Sequence, residues 1–325
     1  YRLEAKLGAG GMGIVYRARH ALLKRPTAIK LLPAEKAGDA ALARFEREVQ
    51  LTARLTHPNT ITIFDYGHTP DGVFYYAMEL LEGATVDEIV DGHGALPAGR
   101  VIHIMTAVAG ALEEAHGIGL IHRDIKPANI MLCEQGARRD VPKLLDFGLV
   151  KDVRDDDSSL TREGDITGTP LYMSPEALTS PGEVDARSDI YAVGAVGYFL
   201  LTGQHVFTGR TLVEVCGHHL HTTPTPPSER LEAPPPEDLE TLVLQCLEKD
   251  PQCRPESALK LRERLTSCQN RDDWTAEEAQ RWWEAHGPEL RRKADESAPA
   301  ESARTLEIDL GRSLTQRSTR KGPPR

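Results

Sequence analysis

The distribution of apolar residues changes character once along this chain, near residue 80, and that change limits the folds open to it. Before it, β-branched or apolar runs such as Ile14-Val15-Tyr16 and Ala28-Ile29-Lys30-Leu31 are bounded by turn residues, as strands are. One stretch interrupts them. Over residues 40–55, Leu42, Phe45, Val49 and Thr52 recur at helical spacing. From Val86 onward helical patterns dominate, over 100–116, 189–202 and 239–248, with short strand-like pieces at 130–133 and 143–145. A strand-rich first part and a helix-rich second part predict an α+β chain of two lobes with a cleft between them.

The composition narrows the function classes. A length of 325 residues with 40% hydrophobic content suffices for an ordinary core. The longest apolar stretches, such as 191–201, are too short and too broken by glycine to cross a bilayer, so no membrane segment is expected. A net charge of −10 argues against nucleic acid as a partner, because phosphate binding needs a basic face. The five cysteines, Cys133, Cys216, Cys246, Cys253 and Cys268, form no Cys-x-x-Cys pair. That speaks against a zinc site or disulfide framework and for a reducing, cytoplasmic setting.

The acidic run 152–157 reads as a solvated loop. The stretch 134–142, with Arg138 and Arg139, reads as the long turn of a surface hairpin, with substrate contact as the lesser alternative, and 222–236 reads as a surface loop. Because the chain opens at Tyr1, almost on its first motif, the first strand is expected to be truncated. The main domain is drawn at 1–268, with the strand-rich lobe at about 1–80 and the helical lobe at about 81–268. An amphipathic extension over 269–292 follows, then a polar, Arg-rich tail at 293–325 expected to be disordered. Trp274, Trp282 and Trp283 on the extension are expected to pack on the helical lobe, with partner docking as the alternative.

The first chemical signal is Leu7-Gly8-Ala9-Gly10-Gly11-Met12-Gly13-Ile14-Val15. Glycines at 8, 10 and 13 let backbone N–H groups approach phosphate oxygens with no Cβ in the way. A dinucleotide-binding turn of the same spacing would open a helix. Here the loop runs into strand-like Ile14-Val15-Tyr16, and a second strand bearing Lys30 follows, so it reads as a hairpin lying over phosphates. Further along stand His122-Arg123-Asp124-Ile125-Lys126-Pro127-Ala128-Asn129, then Asp146-Phe147-Gly148, then Gly168-Thr169-Pro170 and Ser174-Pro175-Glu176.

In this order and spacing the motifs resemble the Hanks-type (eukaryotic-like) bacterial Ser/Thr protein kinases over about residues 1–265. The resemblance implies a bilobal protein-kinase fold, a small β-rich N-lobe with one regulatory helix and a larger helical C-lobe, with ATP in the cleft. The Gly-rich loop from Leu7 to Val15 would cover the phosphates, and Lys30 would meet the α- and β-phosphates. A carboxylate on the helix over 40–55 would fix Lys30. Glu48 and Glu46 both qualify on residue type, and the resemblance favours Glu48, nine residues before His57-Pro58-Asn59. Val15, Ala28 and Met131 match the adenine slot, Met78 the gatekeeper, and Glu79-Leu80-Leu81 the hinge. Asn129 and Asp146 are hard oxygen ligands suited to Mg²⁺, with Mn²⁺ as the alternative. Asp124 matches the base at the acceptor hydroxyl, and Lys126 the cation beside the γ-phosphate. Lys126 with Pro127 and Asn129, together with Thr169, implies Ser/Thr rather than Tyr acceptors.

Structural partners also come with the resemblance: Asp189 as anchor of the catalytic loop, and Glu176 paired with Arg254. Arg123, beside the base, implies control by phosphate on the segment 146–176, with Thr161 the leading site, Thr167 second, and Ser158 and Ser159 also on offer. Protein substrates with Ser/Thr hydroxyls are the implied partners, with self-association for phosphorylation in trans. A pseudokinase scaffold and a small-molecule phosphotransferase are the rival classes. The intact Lys30, Asp124, Asn129 and Asp146 oppose the first, and Gly168-Thr169-Pro170 with Ser174-Pro175-Glu176 opposes the second.

Overall fold

A computed structural model of the chain describes residues 1–10, 13–32, 39–69, 72–147 and 170–297. The expectations on Gly11, Met12, Gly148, the run 152–157, Ser158, Ser159, Thr161, Thr167, Thr169 and residues 298–325 fall outside these. Up to Asp295 the chain divides into two compact units, Tyr1–Gly38 with Ile63–Leu80, and Asp39–Thr62 with Leu81–Asp295.

The first unit holds β1 (Arg2–Gly10), β2 (Gly13–Arg19), β3 (Pro26–Leu32), β4 (Ile63–His68) and β5 (Phe74–Glu79). They form one antiparallel sheet in the order β1-β2-β3-β5-β4. Side chains alternate between its faces, and one face carries a core of Tyr1, Leu3, Ala18, Ile29, Tyr75 and Ala77. The β1–β2 hairpin closes through the pair Gly10 and Gly13. Gly13 needs to be glycine twice over: its φ is +135°, and a Cβ there would lie 2.3 Å from the Leu31 carbonyl oxygen.

The second unit opens with α1 (Asp39–Thr52), so the helix carrying Glu48 groups with the helical body. A small antiparallel sheet of β6 (Gly83–Thr85), β7 (Ile130–Gln135) and β8 (Arg138–Leu144) lies in the same unit. Then come α2 (Val86–His93), α3 (Ala98–Gly117), α4 (Pro175–Thr179), α5 (Ala186–Thr202), α6 (Leu212–His221), α7 (Glu237–Cys246), α8 (Ala258–Ser267) and α9 (Ala276–Ser297). Helix α5 is apolar on all sides and buried from Ser188 to Thr202, which makes it the axis of the core. Asp185 caps its start by accepting from Arg187 N, and Gly203 ends it in the left-handed region. Thr85 and Glu88 form a reciprocal capping box that starts α2 directly from β6.

Two sequence expectations change and one holds. The turn read over 134–142 shrinks to Gly136 and Ala137, because β7 and β8 continue to either side of it. The helical extension runs on to Ser297, past the boundary drawn at 292. Its tryptophans do meet the helical core: Trp283 is buried in it and Trp282 packs against it.

Candidate active site

The loop from His122 to Asn129 is set in place by a buried carboxylate on α5. Asp189, 1% exposed, accepts from the backbone N–H groups of His122 (2.8 Å, Oδ2) and Arg123 (2.9 Å, Oδ1) and from His116 Nε2 (2.8 Å, Oδ2). Burial works against its charge, but the His116 hydrogen bond and charge, with His122, hold its carboxyl below the usual range. Sequence reasoning did not single out His116; a histidine in the last turn of α3, unlike a motif residue, carries no local signal of its distant partner.

His122 is fully buried, and burial pushes its imidazole down, so the ring is neutral. Its tautomer follows from its neighbours. Nε2 donates to the Leu145 carbonyl (2.8 Å), and Nδ1 accepts from Asp124 N (3.3 Å). Phe147 packs against the ring, tilted at 44° with 4.6 Å between centroids, and is itself buried in the core. One imidazole thus joins the strand before Asp146 to the backbone of Asp124.

Two residues of this site adopt positive φ without being glycine, Arg123 at 64° and Asp146 at 46°. Such backbone is costly and persists only where neighbours over-determine it. For Arg123 the constraint is its N–H bond to Asp189.

Asp124 lies 5% exposed at the centre of the loop. Its Oδ2 meets Lys126 Nζ at 2.9 Å and Asn129 Nδ2 at 3.0 Å, and Asn129 Nδ2 also donates to the Asp124 carbonyl at 2.7 Å. Asn129 and Asp146 stand at the two feet of the β7–β8 hairpin, joined by Leu145 N donating to Asn129 O at 2.9 Å. Because the Asn129 amide nitrogen is engaged with Asp124, its oxygen is the atom suited to a hard cation. The structure therefore brings Asp124, Lys126 and Asn129 into one cluster, with Asp146 at its edge.

In the first unit the strand register gathers the other candidates. Lys30 lies opposite Val15 on β2 and Tyr76 on β5, and Ala28 lies opposite Met78. These side chains share the face opposite to the Tyr75 core, and Ala28, Lys30 and Met78 are buried. Leu7, Gly8, Ala9 and Ile14 belong to the β1–β2 hairpin, Glu79 ends β5, and Leu81 follows in the link to β6. In the second unit Met131 sits on β7 opposite Thr85 and Lys143, and Glu46 and Glu48 are both half-buried on α1.

The match to known proteins is now decisive, since residues 1–265 fit the family described as "Protein kinase domain". The chain belongs to the protein kinase family. Its β-sheet N-lobe and helical C-lobe are those of the kinase fold, and the family uses ATP and a divalent metal ion. The kinase is similar to the serine/threonine-protein kinase pkn3 of Myxococcus xanthus, 42% identical over 262 residues, 79% of this chain and 48% of that protein. It is 39% identical over 274 residues to serine/threonine-protein kinase PknB of Mycobacterium tuberculosis, 83% of this chain and 43% of that one. This chain thus spans less than half the length of these two relatives. Among solved structures it resembles the Mycobacterium tuberculosis PknI kinase domain, with 29% identity, TM-score 0.61, and coverage of 82% of this chain and 94% of that one.

Within the kinase fold, the Glu176–Arg254 pair is bidentate, at 2.6 and 2.8 Å. Arg254 is 3% exposed, and its five N–H donors are all engaged, the rest by the carbonyls of Glu248, Arg187 and Lys249. Ser174, where the motif has Ala, caps α4 through Ala177 N and shares a 2.7 Å hydrogen bond with Ser188. Among the described residues no helix is long and apolar enough to cross a membrane.

Proposed function

We propose that the chain is a serine/threonine protein kinase that transfers the γ-phosphoryl group of ATP to protein hydroxyls, with Asp124 as the base. The Asp124 cluster carries this reading: a nearly buried carboxylate oriented by Lys126 and Asn129 on a loop fixed by Asp189. The acceptor oxygen bonds to the γ-phosphorus while the bridging P–O bond breaks, and that electron pair leaves with ADP. The hydroxyl proton goes to Asp124, or is oriented by it as the bond forms.

The Lys126 ammonium would offset charge on the transferring group, and Lys30 would serve the α- and β-phosphates with Glu48 as its orienting carboxylate. The hairpin backbone from Leu7 to Val15 covers the phosphates. Val15, Ala28, Met78 and Met131 line the adenine slot, with Glu79 and Leu81 offering hinge backbone. A divalent ion held by the Asn129 amide oxygen and the Asp146 carboxylate would supply charge neutralisation to the phosphates. Mg²⁺ is our choice over Mn²⁺ because it is suited to few protein ligands plus phosphate oxygens. Arg123, exposed beside the base, is read as the cation that meets a phosphate placed on the activation segment by a second copy of the chain. We place this activity in the cytoplasm, where ATP is available.

The test is Asp124→Asn. Turnover should fall by roughly 10²-fold or more, the scale of a lost general base, while ATP affinity stays nearly intact. Nucleotide affinity falling as far as turnover would make Asp124 a binding or folding residue instead.

A further inference from the structure

The β7–β8 hairpin that joins Asn129 to Asp146 is gripped at its far side by the C-terminal extension, which lies beyond the family match ending at 265. The grip centres on Asp140. This residue lies in an irregularity of the ladder, unpaired between Cys133–Val141 and Gln135–Arg138, with φ at +59°. Irregularities of this kind re-aim a side chain, and here the carboxylate faces inward, 1% exposed.

Four donors converge on it. Oδ1 takes Arg100 Nη2 and Trp283 Nε1 at 2.7 Å; Oδ2 takes Arg100 Nε at 3.0 Å and Trp274 Nε1 at 2.9 Å. Four is the full accepting capacity of a carboxylate. The Arg100 guanidinium is fully buried, and it stacks over the rings of Trp282 at 3.9 Å and Trp274 at 4.7 Å. The approach is close enough to need a glycine on α3. A Cβ on Gly99 would lie 2.9 Å from Asn270 O and 3.0 Å from Trp274 N. Nearer the hairpin tip, Arg291 on α9 bonds Glu134 at 2.8 Å.

We propose that the extension is a positioning element of the catalytic machinery, with Asp140 as its positioning residue: the indole donors of Trp274 and Trp283 fix the hairpin whose feet are Asn129 and Asp146. This rests on the reading of Asn129 and Asp146 as metal ligands. A carboxylate with every acceptor site filled holds its own backbone in one place, and that backbone lies six residues from Asp146, on the strand that ends two residues before it. Buried indole N–H groups need an acceptor, and both of these take it from one hairpin carboxylate, which ties the extension to the hairpin as well as to the helical core.

The test uses the full chain carrying Trp274→Phe and Trp283→Phe, which keeps a smaller aromatic ring at each position and removes both indole donors. Hydrogen exchange of the amides of 129–146, measured without nucleotide, should quicken by roughly tenfold or more, the scale of lost hydrogen bonds to a charged group. The Mg²⁺ concentration for half-maximal turnover should rise at least about threefold, with KM for the protein substrate unchanged. Val243→Ala, a buried truncation on α7, serves as the control for general destabilisation and should produce neither change. If the double variant does not fold, Asp140→Asn decides on the same readouts, because asparagine tolerates positive φ yet offers fewer acceptors. Unmoved exchange over 129–146 while α9 amides quicken would overturn the proposal, as would Val243→Ala reproducing both changes. Failure of the proposed function would show differently, as a parent chain that transfers no phosphate, and the exchange comparison holds in that case too.

Discussion

Replacing Asp189 with Asn asks how firmly the catalytic loop depends on one buried carboxylate. The best orientation of the new amide puts its oxygen where Oδ2 was, facing His122 N and His116 Nε2, and turns its NH₂ toward Arg123 N–H. One buried N–H then has no acceptor, at about 1–3 kcal/mol, and two hydrogen bonds change from ionic to neutral, at about 1 kcal/mol each. The sum is about 3–5 kcal/mol, a large part of the stability of an ordinary domain. In a melting experiment that is a fall of roughly 10 °C. The chemistry should suffer more than the melting point suggests. Arg123 is held at a φ of 64°, and without its bond to Asp189 that backbone relaxes toward ordinary conformations, carrying Asp124 with it. Turnover should fall by roughly 10²-fold with KM for ATP within about twofold. The pH dependence has a definite sign. Asp189 is depressed in the fold, so its stabilisation is present above the ordinary carboxylate range and is lost as pH falls through the folded value; the Asn variant should lack that acid limb. A melting point within about 3 °C of the parent, with turnover within about twofold, would show that the loop holds its shape without this anchor.

Lys30→Met should abolish transfer and Glu48→Gln should weaken it, whereas Glu46→Gln should leave it near the parent rate; steady-state assays with a dead Glu46 variant would move the orienting role to that residue. His219, fully buried and pushed down to about 4, stays neutral in the fold while the unfolded chain takes up its proton below about 6.5. Its contribution is therefore complete above about pH 6.5 and declines from there toward pH 4, and His219→Gln should lower the protons bound on unfolding at pH 5 by about one, read from the pH slope of stability. Incubation with Mg·ATP should place phosphate within 158–167, led by Thr161, and a Thr161→Ala, Thr167→Ala double variant should lose most activity on added protein at unchanged ATP affinity; full activity with no phosphate in the segment would refute the switch.

The elements legible in the sequence are those whose chemistry dictates residue type at fixed spacing. The glycine hairpin and the strand bearing Lys30 are placed by local pattern, the loop from His122 to Asn129 by its resemblance to a family motif, and the structure forms a strand or loop at each. Strand β5 was not singled out because Phe74 to Met78 are all buried, which erases the alternation that marks a half-exposed strand. Pro142 hid the true length of β8, since a proline in a run argues against a strand until its edge position is known. Helix α2, only eight residues long, begins without a break after β6, so its capping box was the one available signal. The Asp140 cluster was out of reach for a different reason. Its partners lie 40, 134 and 143 positions away, and no periodicity links residues at such separations.

Gly13 has a consequence for anyone designing an inactive control. It is the obvious position at which to block phosphate binding, yet a methyl group there would strike the Leu31 carbonyl on the very strand that presents Lys30. An inactive Gly13→Ala protein would thus confound a damaged sheet with a blocked loop, and its phenotype could not be assigned to either. Gly8 offers the cleaner instrument. An alanine methyl at that position meets no atom within 4 Å, so whatever it changes can be credited to the surface the hairpin presents to its ligand.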